Sequence, residues 1–123
     1  MIDVLPSIVQ ELSGIEAFHG RVYRRWPKAK AAVPSCLVSR ISATPAFTDA
    51  DGSEVIMRLV YAIDVNAKSA EEADALAEEV VDRLARYNFH RTGDTDLYDP
   101  AMGAYRRVLS MMGTVDKRGQ TFT

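Results

Sequence analysis

The hydrophobic positions of this chain follow two periodicities, one helical and one alternating. Leu5, Ile8, Val9, Leu12 and Ile15 recur at intervals of three and four, the stripe of an amphipathic helix. Asp3 is placed to cap that helix. Pro6 falls in its first turn, where a missing N–H costs little, and Ser13-Gly14 marks its end. A second stripe, Ala73, Leu76, Ala77, Val80, Val81, Leu84 and Tyr87, predicts a long helix ending near Phe89. Ser69 and Glu72 open it as a capping box, in which a hydroxyl and a carboxylate satisfy amide donors at the helix start. Glu71, Asp74, Glu78, Glu79, Asp82, Arg83 and Arg86 lie largely off the stripe and form a solvated face.

Alternation dominates from Glu54 to Asn66. Val55, Met57, Leu59, Tyr61, Ile63 and Val65 are apolar, while Ile56, Arg58, Val60, Ala62, Asp64 and Asn66 are mixed. This predicts a strand with one face in the core and the other only partly covered. Ala104 to Asp116 predicts a second long strand. Both exceed the usual length of about five or six residues. On the second strand Arg106 and Arg107 point to opposite faces, as do Met111 and Met112. An arginine on the covered face needs a partner, because a buried unpaired charge costs several kcal/mol. Asp64 is a candidate if the two long strands are neighbours. The competing expectation is that both guanidiniums reach water at the sheet edge. Val108 and Met112, with Ile56, Val60 and Ala62, would give the outer sheet surface an apolar patch, which more often marks a subunit interface than a small-molecule site.

The remaining segments are read more coarsely. Cys36 to Ile41 predicts a strand. Thr44 to Ser53 predicts a loop, with Asp49-Ala50-Asp51-Gly52 as its turn chemistry. His19 to Pro34 reads as an extended connection with a short strand at Val22-Tyr23. Phe89-His90-Arg91 reads as a short strand, and Gly93 to Gly103 as a polar loop with a turn at Asp99-Pro100. Lys117 to Thr123 reads as a loose tail. The sum is an α+β fold: a mostly antiparallel sheet of about four strands with two helices packed on one face. All 123 residues form one domain.

Composition narrows the function without adding elements. Fifteen basic residues against seventeen acidic ones leave a net charge of −2, which gives no global pull toward nucleic acid or anionic membrane. No run approaches the roughly 18 apolar residues of a membrane span. The first ten residues lack the pattern of a secretory signal, so a cytoplasmic location is expected. Cys36 is the one cysteine and lies in an apolar run, as a buried structural thiol does. His19 and His90 have no acidic or cysteine partner at metal-ligand spacing. Asp49 to Glu54 faintly echoes a calcium loop but lacks its later ligands, and a hairpin turn accounts for it better. No catalytic residue, cofactor or metal set can be named, and no enzyme activity is expected. Arg24-Arg25-Trp26 with Lys28 and Lys30 mixes cations with an aromatic ring. Such a stretch can grip a phosphate backbone, or pair with acidic side chains of a neighbouring subunit. The candidate subunit or partner interface is therefore Arg24, Arg25, Trp26, Lys28, Lys30, Arg58, Val60, Arg106, Arg107 and Met112.

Several stretches, in order, carry a resemblance. An amphipathic N-terminal helix leads to Val22-Tyr23, Trp26-Pro27-Lys28-Ala29 and Val33-Pro34. An Asp51-Gly52 turn leads into Tyr61-Ala62-Ile63-Asp64-Val65-Asn66. Ser69-Ala70-Glu71-Glu72-Ala73 opens a helix, and Tyr98-Asp99-Pro100 and Tyr105-Arg106-Arg107-Val108 follow. In this order and spacing the chain resembles the tail terminator or tail completion proteins of long-tailed bacteriophages, including related minor tail and neck proteins of prophages. The resemblance implies a homo-oligomeric, hexameric ring that caps the tail tube, stops its growth and forms part of the head–tail junction. The implied partners are further copies of itself and the tail-tube and head-connector proteins. The implied location is the host bacterial cytoplasm during assembly, then the virion tail or neck. Terminator, head-side connector and minor tail proteins share this pattern, so the subtype stays open. Two other classes stay open as well. One is a peptide- or ligand-binding module using the open sheet face. The other is a nucleic-acid contact protein working through Arg24 to Lys30.

Overall fold

A computed structural model describes residues 4–25, 32–48, 50, 52, 54–101, 103–116 and 121–122. The elements are helix α1 (Leu5–Ser13), a short 3-10 turn (Glu16–Phe18), β1 (Val22–Tyr23), β2 (Ser35–Thr48), β3 (Glu54–Ala67), helix α2 (Ala70–Ala85), β4 (His90–Asp99), β5 (Ala104–Asp116) and β6 (Thr121–Phe122). The fold is α+β. Its sheet is mixed: β1 runs parallel to β2, and all other pairings are antiparallel.

Both helices form on the predicted stripes. α1 buries Leu5, Ile8 and Leu12, and Pro6 occupies its first turn. Its N-cap residue is Val4, which supplies no side-chain cap; the proposed cap, Asp3, lies outside the described residues. In α2 the Glu72 amide donates to Ser69 Oγ at 3.1 Å, and Glu72 Oε1 accepts from the Lys68 amide at 3.3 Å. The capping box is thus realised, with the reciprocal donor one residue earlier than in the standard motif. α2 ends at Ala85 rather than near Phe89. Asn88 adopts a left-handed φ of 62°, which reverses the chain. The Phe89 amide then donates back to Leu84 O, and its ring turns into the core, 2 % exposed.

The strands run in the order β1-β2-β3-β5-β4, and β6 pairs with β5 beyond the end of β4. Three expectations need correction. The sheet holds more than about four strands. The polar stretch Gly93 to Asp99 is not a loop but most of β4. As an edge strand β4 has little to bury, so its sequence lacks the apolar alternation that marks the central strands. Thr44 to Thr48 belongs to β2, whose ladder survives register shifts near Ser42 and Phe47. These bulges break the period-two pattern on which the strand's end would have been read. Within the expected loose tail, Thr121–Phe122 pairs with β5. The long strands are neighbours, as the Asp64 pairing requires: β3 and β5 pair from Ile56↔Asp116 to Ala67↔Tyr105.

Burial follows the alternation. On β3, Met57, Leu59, Tyr61, Ile63, Val65 and Ala67 are at most 2 % exposed, and on β5 Leu109, Met111 and Val115 are fully buried. They join the buried faces of both helices, Ile15, Phe18, Cys36, Val38 and Phe89 in one core.

Candidate protein-contact surface

Register places the even-numbered residues of β3 and β5 together on the other side of the sheet. Across the strands, Val60 stands beside Met112, Ala62 beside Ser110 and Asp64 beside Val108. Toward one end Arg58 faces Thr114, and Ile56 faces Asp116. Ser39 and Ser42 from β2 and Gly93 and Thr95 from β4 extend these rows. Val60, Ala62, Val108, Ser110 and Met112 are each half-buried, and Arg58 is exposed. The result is a strip, apolar and small at its centre, with charge toward its ends. Arg58, Val60, Arg106 and Met112 of the candidate interface share this face. Arg107 does not.

The two adjacent arginines of β5 resolve in different ways. Arg106 stays on the half-buried face. Its Nε donates to Asp64 Oδ1 at 3.2 Å and its Nη2 to Asp64 Oδ2 at 2.5 Å. This bidentate contact holds the guanidinium pKa above its ordinary value. Asp64 is 7 % exposed and also accepts from Asn66 Nδ2 at 3.3 Å. Asp64 thus pairs with a β5 arginine, but with Arg106 on the half-buried face; the arginine on the core side, for which the sequence offers Asp64 as partner, is Arg107, and it takes its carboxylates from β4 and α2 instead. The neighbouring Ser35 Oγ and Asn66 Oδ1 are buried and have no hydrogen-bond partner among the described residues.

Arg107 turns to the core side, where carboxylates surround it. Nε donates to Asp94 Oδ1 at 2.8 Å and lies 3.1 Å from Asp96 Oδ1, Nη2 meets Asp94 Oδ2, and Nη1 donates to Asp74 Oδ1 on α2 at 2.6 Å. The Asp94 hydrogen bond is the main cause that holds this guanidinium above its ordinary range. Arg91 Nη1 bridges Glu78 at 2.8 Å and Asp94 at 3.1 Å. Two guanidiniums thus face Asp74, Glu78, Asp94 and Asp96, and the α2–β4 edge is net acidic.

Asp94 carries a pH prediction. The Arg107 hydrogen bond holds its carboxyl below the usual range. A depressed folded-state pKa stabilises the fold above the unfolded value of about 3.9 and loses that effect as pH falls through the folded value. Asp94→Asn is expected to cost about 1 kcal/mol or less at neutral pH, since the pair is partly solvated. The melting-temperature gap to wild type should be flat from about pH 8 to 5 and close below about pH 4. A gap that persists at pH 2 would refute the assignment.

Beside this network lies a hollow of about 320 Å³ lined by Ala70, Ala73, Asp74, Asp96, Leu97, Tyr98, Tyr105, Arg106 and Arg107. Tyr98 and Tyr105 face each other across β4 and β5 with ring centroids 4.9 Å apart, and remain 56 % and 40 % exposed. This hollow and the carboxylates around Arg107 are not legible from the sequence, because the polar run of β4 predicts a loop. The charged alternation Asp94-Thr95-Asp96 was the available signal.

Arg24 and Arg25 follow β1 directly and are exposed. Trp26, Lys28 and Lys30 lie outside the described residues. A separate cleft of about 560 Å³ runs between the helices, lined in part by Ile8, Glu11, Arg83 and Tyr87. Across it Arg83 Nη1 lies 3.5 Å from Glu11 Oε1, and Tyr87 OH donates to Glu11 Oε2 at 3.1 Å, which raises the phenol pKa. Cys36 is fully buried; burial, and secondarily the Asp64 charge, push its thiol pKa up, away from nucleophilic character. Beyond β1, the edge of β2 carries Pro45 and register shifts, features that disfavour pairing with a further strand.

Among the described residues no group of three or more His, Cys, Asp or Glu is arranged to hold a metal ion, and no helix is long and apolar enough to cross a membrane. In comparisons with known proteins, no family model and no curated protein matches the chain.

Proposed function

We propose that this chain is a structural assembly protein of a long-tailed bacteriophage or prophage. Its copies form a ring that caps the tail tube and helps build the head–tail junction. The observation that carries this is the half-buried face of β3 and β5, with its apolar centre of Val60, Ala62, Val108 and Met112 and its charged ends at Arg58 and at Asp64–Arg106. The buried residues of both helices share one core with the odd-numbered face of β3 and β5, and in this reading the even-numbered face is left for a partner. An apolar centre with a polar rim is the anatomy of a protein-contact surface. Four strands at about 4.8 Å spacing and about twelve residues of length give on the order of 750 Å², close to the roughly 800 Å² per partner of a standard interface. Tail-tube and head-connector proteins are the partners, and the order of motifs shared with tail terminators supports the assignment.

Inactivating the gene in the phage or prophage that carries it tests the proposal. Negative-stain microscopy is expected to show tails of unregulated length, or heads and tails that fail to join. Normal joined particles, or a gene with no portal, capsid or tail-tube genes around it, would overturn the reading. One observation favours a second reading, a ligand-binding module: the interhelical cleft with its Glu11–Arg83 pair is of small-molecule size.

A further inference from the structure

The two lateral edges of the sheet differ in chemistry. One edge ends at β4, where the exposed Tyr98–Tyr105 pair opens on the hollow at the start of α2. The Asp74 and Asp96 side chains at its wall are 60 % and 82 % exposed, so each keeps oxygen surface for a second donor besides Arg107. Exposed tyrosines beside carboxylates suit a guanidinium, which stacks on an aromatic face while its N–H groups reach the oxygens. The other edge ends at β1, where Arg24 and Arg25 emerge exposed.

The two features flank one transverse row of the sheet, on its opposite edges. Val22 pairs with Cys36, Cys36 with Val65, Val65 with Arg107 and Arg107 with Asp96, so one transverse row joins β1 to β4. Asp96 ends that row; Arg24 lies two residues beyond it in one direction and the Tyr98–Tyr105 pair two residues beyond it in the other, an offset of roughly 13 Å along the strands. Across the strands the features lie about 19 Å apart, four strand spacings of about 4.8 Å. They cannot meet within one molecule, but they can meet between two.

We propose that the Arg24–Arg25 corner of one copy docks into the Tyr98–Tyr105 hollow of the next, against Asp74 and Asp96. The partner is a second copy of this chain, and the contact is head-to-tail. A head-to-tail contact closes into a ring if its rotation closes, and otherwise grows into a helical filament. The contact rests on the ring reading given above and names its subunit interface. The half-buried sheet face is then left free for other proteins.

The test is sedimentation velocity on the full chain, with circular dichroism to confirm folding of each variant. Wild type is expected to associate, and to do so at least tenfold more weakly as salt rises from about 50 to about 500 mM. Arg24→Glu with Arg25→Glu should weaken association at least tenfold, and so should Asp74→Arg with Asp96→Arg. Mixing the two variants should restore it, because each supplies the edge the other lacks. A second measurement preserves most charges: Arg25→Cys combined with Asp96→Cys should oxidise to disulfide-linked multimers, with the buried Cys36 remaining unreacted. A wild type that stays monomeric, reversed variants that associate like wild type, or mixing that restores nothing would each overturn the contact. Association untouched by charge reversal, alongside tail defects on gene inactivation, would sink this contact and leave the assembly function standing. Normal particles on gene inactivation, with the charge swap behaving as stated, would do the opposite.

Discussion

Truncating Phe89 to alanine is expected to cost about 3–5 kcal/mol of folding stability, the range for deleting a buried aromatic side chain. The ring is 2 % exposed, sits 6.1 Å centroid to centroid from the buried Tyr61, and lies directly over Gly113. A Cβ added at Gly113 would fall 2.8 Å from two carbons of that ring. The glycine is therefore kept for space. Gly113→Ala should cost about 1–3 kcal/mol through overpacking. The two changes should not add. With Phe89 shortened, the new methyl group fills part of the cavity, and the double variant should be about 1–2 kcal/mol more stable than the sum of the single effects implies. Urea unfolding of the wild type and the three variants measures this. Additivity within about 0.3 kcal/mol would mean that the ring and the glycine do not set each other's packing.

Asp64→Ala is expected to cost about 2–4 kcal/mol, because it leaves the Arg106 guanidinium without its bidentate partner and the Asn66 amide with only the backbone carbonyl of residue 64, at 3.4 Å, to donate to. Arg106 retains 28 % side-chain exposure, so it can turn part of its charge to water, which places the loss toward the lower end. Replacing Asp64 and Arg106 together by leucine should recover most of the loss, since a well-packed apolar pair of similar volume is often neutral relative to a buried ion pair. Equal loss in the single and double variants, read from denaturant midpoints, would show that the pair contributes through something other than charge compensation. The double variant should also lengthen the apolar strip on that face and promote association.

The central strands and both helices were legible because burial leaves a periodic mark. β3 and β5 each have one face in the core, and their alternation gave both boundaries to within a residue. β4 was hidden for the opposite reason. It sits at the edge, its residues are mostly exposed, and Thr92 to Asp96 reads like turn chemistry. Losing β4 also hid the surroundings of Arg107, because Asp94 and Asp96 reach that arginine only through cross-strand register. A β5 arginine could be offered to Asp64 from sequence because both stand on long alternating strands, but which of Arg106 and Arg107 it meets depends on the face each takes in the folded sheet. β6 is a two-residue strand, and a pair of residues has no period to read.

The strand order divides the chain into two local hairpins, β2–β3 and β4–β5, joined through α2. Each hairpin closes a short loop and gains ladder contacts at little entropic cost. The β3–β5 seam is different: Asp64 and Arg106 stand 42 positions apart. Loop-closure entropy grows slowly with length, yet this closure yields no contacts until both strands are aligned. In kinetic terms the hairpins and α2 are expected to form early and reversibly, and docking of one hairpin on the other through the Tyr61–Met111 and Ile63–Leu109 pairs is the step expected to commit the chain. Truncations along that seam are therefore expected to slow folding, and truncations in β1 chiefly to speed unfolding, a contrast that stopped-flow chevrons would read out.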